Sequence, residues 1–399
     1  MGIIKSNTQL LMNYLSNQNW TFPTSIRYGP KRIKELPKIC IQKGIKKPLI
    51  VTDRGSKELN FIKDIKENLI NDNLNPKIFS NISPNPKDEE ITLGKSEFLS
   101  GNHDGIIAIG GGSGMDGGKA ISLIANNNYN IWDFEWEKTP VSINEKNNFP
   151  PLICIPTTAG TGAETESSAM VTDTKLLVKW CIAHPQQKPF EVILDPELTL
   201  GLPKNLTAWT GIDALVHAIE AYVINDFHPL CDGAALEALR LIYPNLPIVY
   251  ENGNDLSCRG KMLVGSCLAG ISFLKGLGFV HAISHMVGAE FDTQHGLTNA
   301  IVLPSVLRFN KEAMGLKISI MSEAMGLKKT DFDYFYSSIC DLLDQLEIPK
   351  NLSEIGIEES SIDRLAEKAL TDSAFSTNPK TATLEEMKGI IEISLNNGR

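Results

Sequence analysis

Short, almost continuous apolar runs alternate with polar stretches of helical spacing in the first half of the chain. The runs predict buried strands at Lys47–Asp53, Gly105–Gly110 and Leu152–Pro156. A polar segment that favours a helix, Ser56–Asn73, follows the first run. Strands that are apolar on both faces and are joined by helices are typical of a parallel sheet covered by helices. We therefore predict an α/β domain.

The pattern changes near Leu202-Pro203-Lys204, where strand-like runs give way to long helical periodicities. We predict an α/β domain over residues 1–203, followed by an all-helical domain over residues 204–399. The predicted helices of the second domain include Cys231–Tyr250, Leu256–Phe273, Val280–Phe291, Asn299–Asn310, Ile362–Leu370 and Leu384–Leu395.

Composition and charge narrow the possible partners. The chain has 399 residues, of which 42% are hydrophobic and 21% charged, as expected for a globular protein. A net charge of -9 and the lack of any Lys/Arg block argue against a nucleic-acid partner. No apolar run is long enough to predict a membrane span. The N-terminus lacks the apolar core of a signal peptide, and the seven scattered cysteines contain no CxxC, so we expect a cytoplasmic protein with reduced thiols.

A glycine-rich turn follows the second predicted strand and opens a helical pattern. Its sequence is Gly-Gly-Gly-Ser-Gly-Met-Asp-Gly-Gly-Lys, from Gly110 to Lys119. Glycines at Gly111 and Gly112 let the backbone approach a phosphate, while Ser113 and the helix N-terminus offer donors. The glycine order does not fit the usual dinucleotide fingerprint. The turn therefore indicates either a phosphate site or a tight strand-to-helix connection without a ligand.

A threonine-rich loop follows the third predicted strand. Thr157, Thr158 and Thr161 alternate with glycines and could donate to a nucleotide. Alternatively, Thr161 caps a helix start, with Glu164 as its capping-box partner. The two hypotheses are compatible, because a cap at Thr161 leaves the other threonines free.

Asp53 ends the first predicted strand. An acidic residue at such a position often accepts hydrogen bonds from ribose hydroxyls and disfavours a 2′-phosphate. A helix cap or a solvated turn is an equally good interpretation of Asp53.

Two pairs of polar residues at helical spacing lie within apolar segments of the second half of the chain. Asp213 and His217 are four residues apart, as are His281 and His285, and His295 follows ten residues later. Residues at i and i+4 lie on one face of a helix. One carboxylate and several imidazoles suit Fe(II) or Zn(II), and the absence of cysteine ligands favours a catalytic site. The alternative is a set of hydrogen-bonded core histidines.

The motifs together resemble those of the iron-containing (group III) alcohol dehydrogenase family. They are Gly-Gly-Gly-Ser-x-x-Asp, Pro-Thr-Thr-x-Gly-Thr-Gly-x-Glu, Gly-x-Asp-Ala-Leu-x-His-Ala-x-Glu and His-x-x-x-His followed by His-Gly-x-x-Asn-Ala-x-x-Leu-Pro. The resemblance extends from about Tyr28 to Pro379. It implies a dinucleotide-binding α/β domain, a helical metal-binding domain of dehydroquinate synthase-like architecture, and NAD(P)-linked conversion of an alcohol into an aldehyde or ketone.

The resemblance also implies roles for individual residues. The implied metal ligands are Asp213, His217, His281 and His295, with Fe(II) as the ion and Zn(II) as the alternative. His285 corresponds to an active-site histidine near the nicotinamide, and it could pass a proton to solvent or simply line the pocket. The implied cofactor contacts, for NAD in preference to NADP, are Asp53, Asn85, Gly111, Gly112, Ser113, Asp116, Thr157, Thr158, Thr161 and Lys179.

The substrate and the assembly are less constrained. Phe273 and Lys275 lie shortly before His281 and are candidate substrate contacts; a lysine facing the cleft would favour an ω-hydroxy acid such as 4-hydroxybutyrate. The alternative, which we favour, is that Lys275 is solvated or caps a helix C-terminus. Glu220 could orient a metal ligand or form an ordinary ion pair.

The alternative function is that of a sugar-phosphate cyclase of the dehydroquinate synthase type. The resemblance implies a small alcohol or aldehyde as substrate and a homodimer.

Overall fold

A parallel sheet of six strands organises the first half of the chain. The computed structural model of the protein describes residues 20, 24–139, 141 and 149–399. In chain order the strands are β1 (Ser25–Tyr28), β2 (Pro48–Asp53), β3 (Lys77–Ile82), β4 (Gly105–Gly110), β5 (Leu152–Pro156), β6 (Ser168–Asp173), β7 (Val178–Ala183) and β8 (Glu191–Leu194). The sheet has the order β1-β8-β5-β4-β2-β3 with parallel neighbours, while β6 and β7 form a separate antiparallel hairpin.

Four α-helices accompany the sheet, and the helical half of the chain adds nine more within the described residues. Those of the first half are α1 (Leu36–Gln42), α2 (Asn60–Asn71), α3 (Asp88–Ser100) and α4 (Gly112–Ile124). Those of the second half are α5 (Lys204–Val223), α6 (Pro229–Glu251), α7 (Leu256–Ser272), α8 (Phe279–Phe291), α9 (His295–Met314), α10 (Lys317–Ala324), α11 (Phe332–Gln345), α12 (Ile362–Ala369) and α13 (Leu384–Asn396).

Helices cover both faces of the sheet, which explains why its central strands are apolar throughout. Alternate residues of a strand point to opposite faces. Ile107 and Ile109 of β4 belong to the cluster packed by α1 and α2, whereas Ile106 and Ala108 belong to the larger core shared with α4 and the helical half. Every residue of β4 is buried. This is the arrangement expected for a parallel α/β sheet.

The carboxyl ends of β2, β4 and β5 meet at one edge of the sheet. Val51 is paired with Ala108, and Gly110 with Pro156, so the segments that follow these strands leave the sheet side by side. Open parallel sheets bind ligands at this edge. The hairpin of β6 and β7 packs against α4 and reaches α8.

Helix α5 forms the centre of the helical half. It packs against α6, α7 and α9, and its sequence is buried almost continuously from Thr207 to Val223. A helix surrounded by others has no polar face to present to water, which accounts for its apolar composition. The polar residues that remain on α5 are therefore inside the protein.

The structure confirms the predicted fold class, an α/β sheet followed by helices. The three predicted strands appear as β2, β4 and β5, and five of the six helices predicted in the second half match to within two residues at either end. Helix α9 is longer than predicted, starting at His295 instead of Asn299. Strands β1, β3 and β6 to β8 were not predicted, because short strands have weak periodicity. Helices α1, α3, α10 and α11 were not predicted either. Helix α5 begins at Lys204, and the division into domains at this point stays a prediction.

Within the described part of the chain, no individual helix has the length and hydrophobicity needed to cross a membrane. A pair of segments bent by 103°, Leu256–Lys275 and Phe279–Phe291, meets the length and composition criteria jointly. All seven cysteines are free, in agreement with the prediction of unpaired thiols.

Candidate active site

Three helices of the second half bring one carboxylate and three imidazoles together. Asp213 and His217 lie on α5, His281 on α8 and His295 at the first position of α9. One potential ligand atom from each of the four residues lies within 4.8 Å of all the others. Oδ1 of Asp213 is 3.8, 3.9 and 3.6 Å from Nε2 of His217, His281 and His295, respectively. Asp213, His217 and His281, which the i and i+4 spacing singled out, therefore lie together with His295 in space.

The donor set fits a divalent cation of intermediate softness. The amide nitrogen Nδ2 of Asn299 donates to Asp213 Oδ1 at 2.7 Å and lies 3.3 and 3.2 Å from Nε2 of His281 and His295. The carboxylate oxygen and the two imidazole nitrogens thus converge around one amide nitrogen, and such convergence of oxygen and nitrogen atoms is what a cation requires. One carboxylate and three imidazoles suit Fe(II) or Zn(II).

Burial lowers the pKa of two imidazoles of this cluster, those of His217 and His295. It lowers the pKa of His217 to about 4, although Asp213 opposes the shift. It also lowers the pKa of His295 well below its usual value, and the neighbouring Lys179 and histidines act in the same direction. A neutral imidazole has the free lone pair that binds a metal, so the burial prepares both residues as ligands.

Glu220 fixes the orientation of His281. Its Oε2 lies 2.6 Å from Nδ1 of His281, and the same carboxylate accepts the backbone N–H groups of Gly278 and Val280 at 3.1 and 2.7 Å. A carboxylate bonded to Nδ1 leaves Nε2 to face the cluster. Of the two interpretations of Glu220, the structure favours the orienting one.

His285 lies beside the cluster and outside the group of four. Its ring is stacked on that of His295, with centroids 5.3 Å apart and an angle of 13°. Nδ1 of His285 is 2.9 Å from Oδ2 of Asp372, and burial lowers the pKa of His285. The predicted substrate contact Phe273 is also nearby, with its ring centroid 4.8 Å from that of His217.

Lys275 is buried in an ion pair, which was not predicted. Its Nζ lies 2.6 Å from Oδ1 of Asp232 on α6, and its side chain is 1% exposed. The prediction of a solvated Lys275 is therefore wrong, and the partner of Nζ is a carboxylate instead of a helix carbonyl. A substrate carboxylate would have to compete with Asp232 for this ammonium, so the structure does not favour the ω-hydroxy acid hypothesis.

The two loops predicted to hold a cofactor are in contact. A Cβ on Gly111 would lie 3.4 Å from the methyl carbon of Thr158, and one on Gly112 only 2.6 Å from that of Thr161. Gly111 precedes the first residue of α4, so the helix N-terminus opens between the two loops. A glycine turn at the start of a helix that faces Thr158 and Thr161 is well suited to a phosphate. Ser113 is half-buried and Thr157 is buried beside this turn.

Asp53 stands next to the glycine turn. Its carboxylate accepts the backbone N–H and the hydroxyl of Ser56, at 2.9 and 2.7 Å. A Cβ on Gly110, which has φ of 141°, would lie 3.0 Å from Oδ2 of Asp53. Asp53 therefore stabilises a turn, as one interpretation holds, and its contact with a ribose stays a prediction.

The predicted capping box at Thr161 and Glu164 is wrong. Gly162, with φ of 61°, precedes a single 3-10 turn at Ala163–Thr165, and the Glu164 carboxylate has no hydrogen-bond partner within the described residues. Burial raises the pKa of Glu164 to about 7. The loop turns back because Gly162 packs directly on Gly270 of α7, and no continuous helix forms.

The remaining predicted contacts form two groups. Lys179 on β7 donates to Oδ1 of Asn85 at 3.4 Å, and Asn85 donates to Oδ1 of Asp292, after α8, at 2.7 Å. Asp116 instead accepts the N–H of Met170 at 3.2 Å and ties α4 to the hairpin. Burial raises the pKa of Asp116 and lowers that of Lys179.

Comparison with known families covers both halves of the chain. A profile described as "Iron-containing alcohol dehydrogenase" matches residues 23–196, and one described as "Fe-containing alcohol dehydrogenase family, C-terminal" matches residues 207–395. The chain belongs to the iron-containing alcohol dehydrogenase family. It is accordingly an alcohol dehydrogenase, an oxidoreductase, and the sequence-based prediction of this family is confirmed.

Relatives of known name extend over nearly the whole chain. The NAD-dependent methanol dehydrogenase of Bacillus methanolicus is 35% identical over 384 residues, 94% of this chain and 100% of the relative. The 1,3-propanediol dehydrogenase of Citrobacter freundii is 35% identical over 376 residues, 91% of this chain and 95% of the relative. The crystal structure of a 1,3-propanediol oxidoreductase superposes with a TM-score of 0.89 at 33% identity, covering 95% of this chain and 100% of that one.

Two residues of the site were not predicted from the sequence. Asn299 bonds Asp213 and lies four residues after His295, so helical spacing could have identified it. Asp372 bonds His285 across 87 residues of sequence, from a loop without any periodic pattern. No local signal points to Asp372.

Proposed function

We propose that this alcohol dehydrogenase uses NAD to interconvert small, uncharged primary alcohols and their aldehydes. The observation that carries the proposal is the convergence of Asp213, His217, His281 and His295 within 4.8 Å in the helical half of the chain. In the proposal these four residues hold Fe(II), with Zn(II) as the alternative. The ion supplies Lewis-acid chemistry, which polarises a carbonyl and makes an alcohol more acidic.

The residues of the first half bind and orient NAD. The glycine turn from Gly111 to Ser113 and Thr157, Thr158 and Thr161 bind the phosphates. Asp53 accepts the ribose hydroxyls, and its negative charge disfavours the 2′-phosphate of NADP. Asp116 follows the glycine turn and belongs to the same pyrophosphate-binding segment. Lys179 and Asn85 contact each other, and Asn85 contacts Asp292 just after α8; both would lie near the cofactor.

His285 exchanges the proton of the substrate at Nε2. It is the neutral imidazole next to the cluster that is not one of its four members. General acid–base groups must lie within hydrogen-bond reach of the reacting oxygen, and a histidine beside the metal site satisfies this requirement.

A small, uncharged substrate is supported by the pairing of Lys275. The ammonium is compensated by Asp232 at 2.6 Å, so it offers no free charge to an ω-hydroxy acid. The named relatives act on methanol and 1,3-propanediol, both uncharged. We include 4-hydroxybutyrate in the test as the charged competitor.

The test is a panel of methanol, 1-propanol, 1,3-propanediol and 4-hydroxybutyrate with NAD and NADP, on protein purified without oxygen and analysed for metal. We expect NADH to accumulate with the uncharged alcohols, and Asp213→Ala to lose both metal and activity. A sugar-phosphate cyclase would produce no net NADH. Activity that persists in the metal-free Asp213→Ala protein would contradict the proposal. Sedimentation of the same preparation tests the proposed homodimer, and cell fractionation the cytoplasmic location.

A further inference from the structure

A buried carboxylate makes a direct contact with His285. Oδ2 of Asp372 lies 2.9 Å from Nδ1 of His285, and Oδ1 of Asp372 accepts the backbone N–H of Ala374 at 2.8 Å. The side chains of Asp372 and His285 are only 2% and 6% exposed. Water therefore does not compete for this hydrogen bond, and its geometry is set by the protein.

The loop that carries Asp372 is anchored on the same helix as His285. Thr377 donates to the carbonyl of Leu277 at 2.6 Å, and the Asn378 side chain accepts the N–H of Phe279, the first residue of α8, at 3.2 Å. Asn310 of α9 also donates to this side chain at 3.0 Å. The loop and α8 therefore form one unit, so Asp372 keeps a constant position relative to His285.

The contact determines which nitrogen of His285 holds a proton. A carboxylate oxygen accepts hydrogen bonds, so Nδ1 of the neutral imidazole must donate, and Nε2 then carries the lone pair. The stacking on His295, at 5.3 Å between centroids, fixes the ring plane as well. With tautomer and plane both fixed, Nε2 is the only ring atom left to act.

We propose that Asp372 is a positioning residue, which holds His285 as the Nδ1-protonated tautomer so that Nε2 exchanges the proton with the substrate. In this role Asp372 acts through His285 and needs no contact of its own with the substrate. This inference rests on the proposed function, in which His285 moves that proton. It adds a residue that lies 87 positions away in sequence and outside all the family motifs recognised in the chain.

The first test is a double-mutant cycle of Asp372→Asn and His285→Ala. The near-isosteric amide keeps the shape but has one acceptor oxygen for two donors, so the Nδ1–H bond is weakened. We expect kcat to fall on the order of 10–100-fold, as for other residues that orient an active-site histidine, with the KM for NAD and the metal content unchanged. In the His285→Ala background the second substitution should have no further effect. Asp363→Asn, at a carboxylate that is 79% exposed, is the matched control.

The second test needs no turnover. Histidine labelled with ¹⁵N is incorporated into the zinc-loaded protein, and the signal missing from His285→Ala identifies His285. We expect the Nδ1-protonated pattern in the wild type and a mixture of tautomers in Asp372→Asn. A loss of activity of equal size in both backgrounds, or an unchanged tautomer, would overturn the inference. A wild type that reduces no NAD with any alcohol would contradict the proposed function, while the tautomer would still decide the inference.

Discussion

His217 and His295 show how much of the site's chemistry depends on the surroundings of single residues. In water an imidazole is partly protonated near neutral pH, but burial lowers the pKa of His217 to about 4. The apolar neighbours that bury these histidines thus keep them available as ligands. Burial also has a free-energy cost at two charged residues, Glu164 and Lys275. Its effect on stability can be tested separately at each of them.

Glu164 makes the stability of the protein depend on pH. Burial raises its pKa from 4.5 to about 7, so the folded protein binds this proton more tightly than the unfolded chain. The contribution of protonated Glu164 to the free energy of unfolding is therefore fully present below about pH 4.5, and it is lost as the pH rises to about 7. Glu164→Gln should therefore be more stable than wild type by up to about 3 kcal/mol at pH 8, and by no more than about 1 kcal/mol at pH 5.

Urea unfolding of Glu164→Gln and wild type at both pH values measures this difference. Glu312→Gln, at an exposed position, is the control and should show no pH-dependent difference. A stability difference that is the same at pH 5 and pH 8 would show that Glu164 is not protonated by burial.

The ion pair of Lys275 and Asp232 should respond unequally to loss of either partner. Asp232→Asn leaves an ammonium that is 1% exposed without its counter-charge, whereas Lys275→Met leaves a carboxylate that is 33% exposed and can be hydrated. We expect Asp232→Asn to cost about 3 kcal/mol and Lys275→Met about 1 kcal/mol. Lys275→Met should not change the ratio of activities on 1-butanol and 4-hydroxybutyrate.

Chemical denaturation and initial rates on the two substrates measure both effects. If Lys275→Met selectively removed activity on 4-hydroxybutyrate, Lys275 would bind the substrate and the uncharged-substrate proposal would be wrong.

At the scale of elements, the threonine loop is held against the helical half by glycine contacts. A Cβ on Gly270 of α7 would lie 2.6 Å from the carbonyl oxygen of Gly162, and one on Gly160 would lie 2.9 Å from that of Thr210 on α5. Backbone atoms cannot move aside as a flexible side chain can. The loop that carries Thr157, Thr158 and Thr161 is therefore positioned by the helical half, through α5 and α7.

Gly270→Ala should displace this loop. Because the added methyl group meets backbone atoms, we expect a loss of about 1–3 kcal/mol in stability, together with a higher KM for NAD. Gly389→Ala on α13 is the matched control, because nothing lies within 4 Å of the added carbon; it should leave the KM unchanged and stabilise the helix by about 0.5–1 kcal/mol. An unaltered KM in a folded Gly270→Ala protein would contradict the proposed role of the loop.

At the scale of the whole molecule, a metal at the cluster would connect three helices that are separate in sequence. Helices α5, α8 and α9 would each contribute at least one ligand, so metal binding would stabilise the fold once the metal concentration exceeds the Kd. Glu220→Gln should weaken metal binding about 10–100-fold, because His281 loses its orienting carboxylate. At a fixed excess of Zn²⁺ the metal's contribution to stability should then fall by about 1.4–2.7 kcal/mol.

Thermal unfolding of metal-free and zinc-loaded protein checks this prediction. The metal-free forms of wild type and Glu220→Gln are compared first, so that any loss of packing is subtracted. Asp213→Ala should show no shift on addition of zinc. An equal shift in wild type and Glu220→Gln would mean that Glu220 does not support the metal site.

The sequence by itself determined the order of strands and helices in outline, the two pairs at i and i+4, and the family. These features are local, because spacing along one helix or strand decides which side chains share a face. The family motifs are likewise contiguous in the chain, so the order of residues is enough to recognise them.

Only the tertiary structure decided how the distant parts meet. It brought the glycine turn to the threonine loop, paired Lys275 with Asp232 across 43 residues, and placed Asp372 against His285 across 87. It also separated His285 from the four clustered residues, which spacing alone had left equivalent. Contacts of this kind depend on how elements pack, and packing is set by the whole core rather than by the residues on either side of a motif.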